Sequence, residues 1–128
     1  MDSTEFNLPK VSSFLCCHAI YQDVLSKNYD LRGVFQGFGP PEYPFGVEFM
    51  TFTRLNHGSG GEFQIDVSLF DEKGNKVSDS TPRKIVFSDM NFHDLITGWR
   101  VLFPAPGPYT FKVFCNNLQV GGYQVFCR

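Results

Sequence analysis

Cys16, Cys17 and His18 are the residues of this chain whose types and adjacency most invite a chemical reading. A thiol acts as a nucleophile when a base takes its proton and donors wait for the oxyanion. Neighbours on a strand point to opposite faces, so His18 cannot serve Cys17 there. Cys16 and His18 share a face, but their backbones lie roughly 7 Å apart and no third group completes a set. Asp71-Glu-Lys-Gly-Asn75 has the carboxylates of a calcium loop without the alternating oxygen ligands or the later Glu, and reads as a Gly-containing turn. His57-Gly-Ser-Gly-Gly61 has the glycines of a phosphate loop, but no Lys and no helix follow. It reads as a flexible hairpin connection. There is no G-x-S-x-G elbow and no C-x-x-C pair. No catalytic residue, metal ligand set or cofactor is expected, and an enzyme ranks last among the functions weighed.

Binding chemistry has better candidates. Trp99 and Arg100 stand side by side, with Phe92 and His93 just upstream. A Trp or an Arg on an outer sheet face makes a recognition spot, yet the two must point to opposite faces of one strand. A core position is favoured for Trp99, because Trp is highly buried on average. The chain also carries 15 Phe and 5 Tyr, more than one interior face absorbs. Phe38, Tyr43, Phe45, Phe52, Phe70, Phe114 and Phe126 are hard to place inside together. Phe70, Phe114 and Phe126 fall on the outward parity of their strands. Either the chain covers those faces itself or a second copy does, since exposed aromatic patches mark interfaces.

The elements that position these residues are strands. Phe63, Ile65, Val67 and Leu69 alternate with Gln64, Asp66 and Ser68, the pattern of a half-buried strand. Val47–Leu55, Arg83–Ser88 and Leu95–Phe103 read the same way, with a short edge strand near Val77. Val11–Tyr21 and Tyr29–Phe38 are read as single strands, the second interrupted by Gly33 and Gly37, which mark a bulge or a close backbone approach. Asp23–Asn28 is a polar turn, and Gly39–Pro44 is a crossover loop. Ser88–Asp94 is a loop with room for one helical turn. Tyr109–Cys115, Asn116-Asn117 and Leu118–Cys127 form a closing hairpin with a two-residue turn. Inward parity slips along its second strand, which predicts a bulge at Gly121-Gly122. Strand spacings of roughly ten residues predict one all-β domain, an immunoglobulin-like antiparallel β-sandwich of about seven to nine strands over residues 11–128, behind a lead-in of residues 1–10. Pro106-Gly-Pro-Tyr109 fits the corner at which such a domain ties a Tyr hydroxyl to nearby backbone.

Composition narrows the partners. A net charge of -2 with scattered basic residues gives no footprint for nucleic acid. No apolar run approaches the roughly 18 residues of a membrane span. The polar N-terminus has no basic region ahead of an apolar one, so no secretory signal is expected and a cytoplasmic location is. Cys16, Cys17, Cys115 and Cys127 are then expected to be reduced and buried.

Leu15-Cys-Cys-His-Ala-Ile20, Leu31-Arg-Gly-Val-Phe35, Glu42-Tyr-Pro-Phe45, Gly61-Glu-Phe-Gln-Ile65, Phe70-Asp-Glu-Lys-Gly74 and Leu102-Phe-Pro-Ala-Pro-Gly-Pro-Tyr109 carry a resemblance. The chain resembles a family of small uncharacterised bacterial β-sandwich proteins over about Phe14–Val125. The resemblance implies the fold and no activity. The leading expectation is a non-enzymatic module for self-association or a protein partner, with Phe114, Phe126, Phe70 and Trp99 as interface candidates. A carbohydrate-binding sandwich is the alternative.

Overall fold

The structure is a computed structural model that describes residues 8–57, 61–87 and 92–128. The described residues are all-β. The strands are β1 (Lys10–Cys17), β2 (Ala19–Gln22), β3 (Tyr29–Arg32), β4 (Gly37–Phe38), β5 (Phe45–Asn56), β6 (Gly61–Phe70), β7 (Lys76–Asp79), β8 (Arg83–Phe87), β9 (Phe92–Phe103), β10 (Gly107–Cys115) and β11 (Leu118–Cys127). β1, β5 and β9 form one antiparallel sheet. β4, β11, β10 and β6 form a second in that order, with β7 and β8 pairing successive stretches of β6. β4 runs parallel to β11, and every other pairing is antiparallel. β2 and β3 make a separate hairpin.

Period-two alternation places the core between the two large sheets. Phe49, Thr51, Thr53 and Leu55 of β5 and Leu95, Thr97, Trp99, Val101 and Phe103 of β9 point inward. They meet Ile65, Val67 and Leu69 of β6, with Tyr109, Phe111, Val113 and Cys115 of β10. Trp99 stands edge-on to Phe111 at 5.1 Å, and its Nε1 donates to the Thr51 hydroxyl at 2.8 Å. This puts Trp99 in the core and removes it from the interface candidates. Thr53 and Thr97 are buried with no hydrogen-bond partner for their hydroxyls.

The closing hairpin folds as expected. Asn116 and Asn117 have φ of 48° and 68°, the left-handed pair of a tight two-residue turn, and Cys115 faces Leu118. The bulge comes slightly early. Phe114 pairs Gln119 and Val113 pairs Gly121, so Val120 is the extra residue. The Tyr109 hydroxyl donates to the Ala105 carbonyl at 2.6 Å, the corner expected from Pro106-Gly-Pro-Tyr109. Asp71 closes its turn by accepting from the Lys73 and Asn75 amides. Of the Gly-rich connection, residues 58–60 lie outside the described residues, as do residues 1–7 of the lead-in.

Three readings need correction. Val11–Tyr21 is broken at His18, whose amide donates to the Arg32 and Gly33 carbonyls and turns the chain out of its sheet. Tyr29–Phe38 is broken as well, at Gly33 (φ 67°), which lies against the His18 ring. Gly37 is the close approach its residue type suggested, since a Cβ there would run into the Phe126 carbonyl. The loop assigned to Ser88–Asp94 gives way to strand from Phe92, held by the bidentate Arg54–Asp94 pair at 2.7 and 2.9 Å. Residues 88–91, where the helical turn was expected, lie outside the described residues. These breaks raise the strand count among the described residues above the expected seven to nine.

Two substitutions separate hydrogen-bond effects of opposite sign. Tyr109→Phe removes a satisfied bond and is expected to cost about 1 kcal/mol. Thr53→Val removes an unpaired buried hydroxyl at nearly constant shape and is expected to leave stability unchanged or raise it by up to about 1 kcal/mol. Urea unfolding followed by Trp99 fluorescence measures both.

Candidate functional site

The outer face of the six-stranded sheet carries the aromatic candidates. β6 presents Gln64, Asp66, Ser68 and Phe70 on this face, and β10 presents Thr110, Lys112 and Phe114. β11 adds Gln124 and Phe126. Phe126 is 48% exposed, while Phe70 and Phe114 are half-buried. None of the three belongs to the core cluster or packs against it.

The register sets their spacing. Phe70 faces Thr110, whereas Phe114 faces Asp66, four residues along β6. Those two rings therefore sit roughly 13 Å apart at about 3.3 Å per residue. Phe126 faces Pro108, at the far end of β10 from Phe114. The three residues share a face without touching. Lys112 lies between Phe114 and Phe70, with its ammonium 4.7 Å from the Phe70 ring centroid. The face is thus an aromatic row with polar intervals. Asp66 is half-buried in it, and burial pushes its carboxyl above the usual range. Lys76 pulls it back and Asp79 adds to the rise.

The opposite outer face, on the three-stranded sheet, has a different fate. Phe52 has the same outward parity as Phe126, yet it is only 7% exposed. The β2–β3 hairpin folds across it, with Tyr29 edge-on at 5.6 Å, and Cys17 is fully buried on the same side. Phe38, Tyr43 and Phe45, also hard to place from sequence, pack against the main core.

The other sequence candidates do not converge. Arg100 points to solvent and pairs with Glu48, while Trp99 points inward. A shallow depression of about 570 Å³ lies beside this ion pair, but Trp99 lends it only an edge that is 5% exposed. His93 faces the Phe87 ring instead. Burial pushes the Cys16 thiol up to about 12, with Cys17 adding to the rise, so it is protonated at neutral pH. The His18 ring packs on Phe35. Among the described residues no group of three or more His, Cys, Asp and Glu could hold a metal ion.

One feature escaped the sequence reading. The turn taken as polar, Asp23–Asn28, exposes Val24 at 79% and Leu25 at 92%. Two adjacent aliphatics inside a turn composition were the available signal.

No curated protein matches the chain. Several solved structures share its fold, two of them as follows. The Pseudomonas fluorescens alkylpurine DNA glycosylase AlkC, bound to DNA containing an abasic site analogue, aligns at a TM-score of 0.51 with 8% identity. The alignment covers 73% of this chain and 28% of that one. A glycosyl hydrolase family 2 member from Bacteroides cellulosilyticus aligns at 0.50 with 10% identity, covering 64% of this chain and 12% of that one. The chain thus spans less than a third of either neighbour, and at these identities the likeness shows the fold alone. Residues 12–126, nearly the whole described strand set, match the family of unknown function DUF6941, and the chain belongs to that family.

Proposed function

We propose that this protein is a non-enzymatic assembly module that associates with copies of itself through the outer face of its six-stranded sheet. The observation that carries the reading is the contrast between Phe126 and Phe52. Both are outward aromatics, Phe52 well inside β5 and Phe126 near the end of β11, yet one is covered by the chain's own hairpin and the other is half exposed. Phe70 and Phe114 extend the uncovered row, and Lys112 and Asp66 give it charges of both signs. Such a face is self-complementary when two copies meet antiparallel, each Lys approaching the other's Asp. The Tyr109 corner supports an immunoglobulin-like reading of the architecture. The carbohydrate reading rested on a surface Trp or Tyr; Trp99 lies in the core, and the exposed Tyr21 has the Arg32 guanidinium over its ring. Four buried, free thiols support a reducing, cytoplasmic setting.

Phe114→Ser with Phe126→Ser tests the interface. Sedimentation velocity is expected to show self-association weakened by about tenfold or more, with circular dichroism unchanged. Unchanged association would overturn the reading, and unfolding would return both rings to the core. The thiols give a separate readout. Burial raises all four, Cys16 to about 12 and Cys115 to about 11. At pH 8 an aromatic disulfide reagent is expected to leave them largely unmodified in the folded protein and to titrate all four in guanidinium. Rapid native labelling would contradict the assigned burial.

A further inference from the structure

β9 is an edge strand. It pairs β5 on one side, and among the described strands none pairs it on the other. Contacts on β5 fix the direction of its backbone groups. The Met50 carbonyl accepts from the Cys17 thiol at 3.8 Å, and the Arg54 carbonyl accepts from the Ser12 hydroxyl at 3.3 Å. Both donors stand on β1, so even-numbered residues of β5 aim their backbone groups at β1 and odd-numbered ones aim theirs at β9. The register sets odd against odd, Phe49 with Trp99 and Val47 with Val101. Trp99 and Val101 are thereby committed to β5. Asp94, Ile96, Gly98, Arg100 and Leu102 aim their amides and carbonyls out at the free edge. The Arg83 guanidinium agrees with this direction, reaching from β8 to donate to the Ile96 carbonyl at 2.7 Å.

Two features limit the usable edge. Arg83 covers it at Ile96, and Pro104, the next position of this parity after Leu102, has no amide hydrogen. The window between them is Gly98, Arg100 and Leu102, all exposed. Arg100 lies midway between the two blocked positions. A two-fold axis at Arg100 therefore sets Gly98 opposite Leu102 of a second copy, Arg100 opposite its counterpart, and the blocked positions against each other. Each of the three open pairs exchanges two backbone hydrogen bonds, about six in all. Shifting the register by two residues in either direction sets an open position against Ile96 or Pro104 and loses a pair. The side chains fit the same register. Leu102, 61% exposed, faces Gly46 of its own β5, with its Cδ1 3.7 Å from where a Cβ on Gly46 would stand. On its free side the second copy places Gly98, which has nothing within 4 Å of its own Cβ position. Leu102 is then seated between two glycines. Like charges directly opposite are destabilising, but Glu48 holds each Arg100 toward its own sheet, Nε at 2.8 Å and Nη2 at 2.7 Å. The row Glu48, Arg100, Arg100, Glu48 across the axis is neutral in sum.

We infer that two copies of this chain pair their β9 edges antiparallel about a two-fold axis at Arg100, so that the sheet of β1, β5 and β9 runs on through both. A row of outward amides and carbonyls takes an extended strand. The second copy is that strand because the window is self-complementary. The same three residues supply every donor and acceptor, the large side chain and the space that receives it. The contact is isologous and closes as a dimer. It is small, and its affinity is expected in the micromolar to millimolar range. The inference goes beyond the aromatic-row reading, uses the other sheet, and stands or falls apart from it.

Disulfide trapping in the full chain tests the register. Arg100→Cys sets two thiols across the axis, and copper phenanthroline is expected to cross-link it at least tenfold faster than Glu48→Cys. The Glu48 positions share the exposed face but lie three strand spacings apart across the axis, about 14 Å, beyond the reach of a disulfide. Gly98→Pro tests the bonds, because it removes an amide aimed at the edge and none that holds β5. In the Phe114→Ser, Phe126→Ser background it is expected to weaken dimerisation by about tenfold or more in sedimentation velocity, with circular dichroism unchanged. The edge pairing is wrong if Arg100→Cys cross-links no faster than Glu48→Cys, or if folded Gly98→Pro dimerises like the background protein. Should Gly98→Pro unfold, the trapping result decides. Wild-type association without trapping through Arg100→Cys overturns the edge pairing and leaves the aromatic row standing. Trapping together with undiminished association of the Phe114→Ser, Phe126→Ser protein does the reverse.

Discussion

The structure depends on one packing contact, the Trp99 ring wedged between its own sheet and the sheet opposite. Trp99 lies 5.1 Å from Phe111 across the interior and near-parallel to Phe49 at 6.4 Å beside it. Phe49 in turn meets Phe111 edge-on. The contact draws on β5, β9 and β10, so it locks both sheets at once. The indole N–H would be costly to bury alone, and the Thr51 hydroxyl accepts it. Offset and edge-on aromatic pairs add to the area they bury, so this group fixes the spacing of the sheets as well as their attraction. Once Trp99 and Phe111 point inward, period-two alternation settles every other side chain on β9 and β10. Phe114 then has no choice but to face out.

Much of this was legible in the sequence because it is written locally. The Asn116-Asn117 turn, the Asp71 turn and the Tyr109 corner each depend on side chains reaching backbone within a few residues. The outward parity of Phe70, Phe114 and Phe126 followed from alternation alone. What could not be read was written in distant pairings. His18 leaves its strand because the Arg32 and Gly33 carbonyls wait for its amide. Phe92 joins β9 because β5 continues far enough to pair it and Arg54 reaches Asp94. Alternation assigns a face but does not say whether another element lies over it. For that reason Phe52 and Phe126 looked alike in sequence and differ in the fold.

That difference organises the surface. The β2–β3 hairpin, in the segment between β1 and β5, covers part of one outer face with Tyr29 over Phe52. Few residues connect the strands of the other sheet: Asn116-Asn117 joins β10 to β11, and the Asp71 turn joins β6 to β7. Connections that short have no length with which to cross a sheet face. Among the described strands, the aromatic row on that sheet is therefore uncovered for a topological reason. Polar residues at alternate positions along the row keep the rings separate, which limits any one contact and favours a broad, weak interface over a single deep anchor.

The hairpin that covers Phe52 also creates the exposed apex, and the two roles are physically linked. A two-stranded hairpin is marginal by itself and persists only by packing against a larger body. Here the inward side of β3 supplies that packing through Tyr29, and the outward side is braced by the Arg32 guanidinium over Tyr21 at 4.7 Å and its pairing with Asp30. Anchored at its base, the hairpin can carry a turn whose hydrogen bonds are nearly all internal. Such a turn needs no apolar residue to hold it, since Asp23, Ser26 and Asn28 already close it. The side chains of Val24 and Leu25 contribute nothing to the closure, in which only the Leu25 amide takes part, and polar residues at both positions would lower the exposed apolar area without loss of any bond seen there. Their exposure is a cost to the isolated chain.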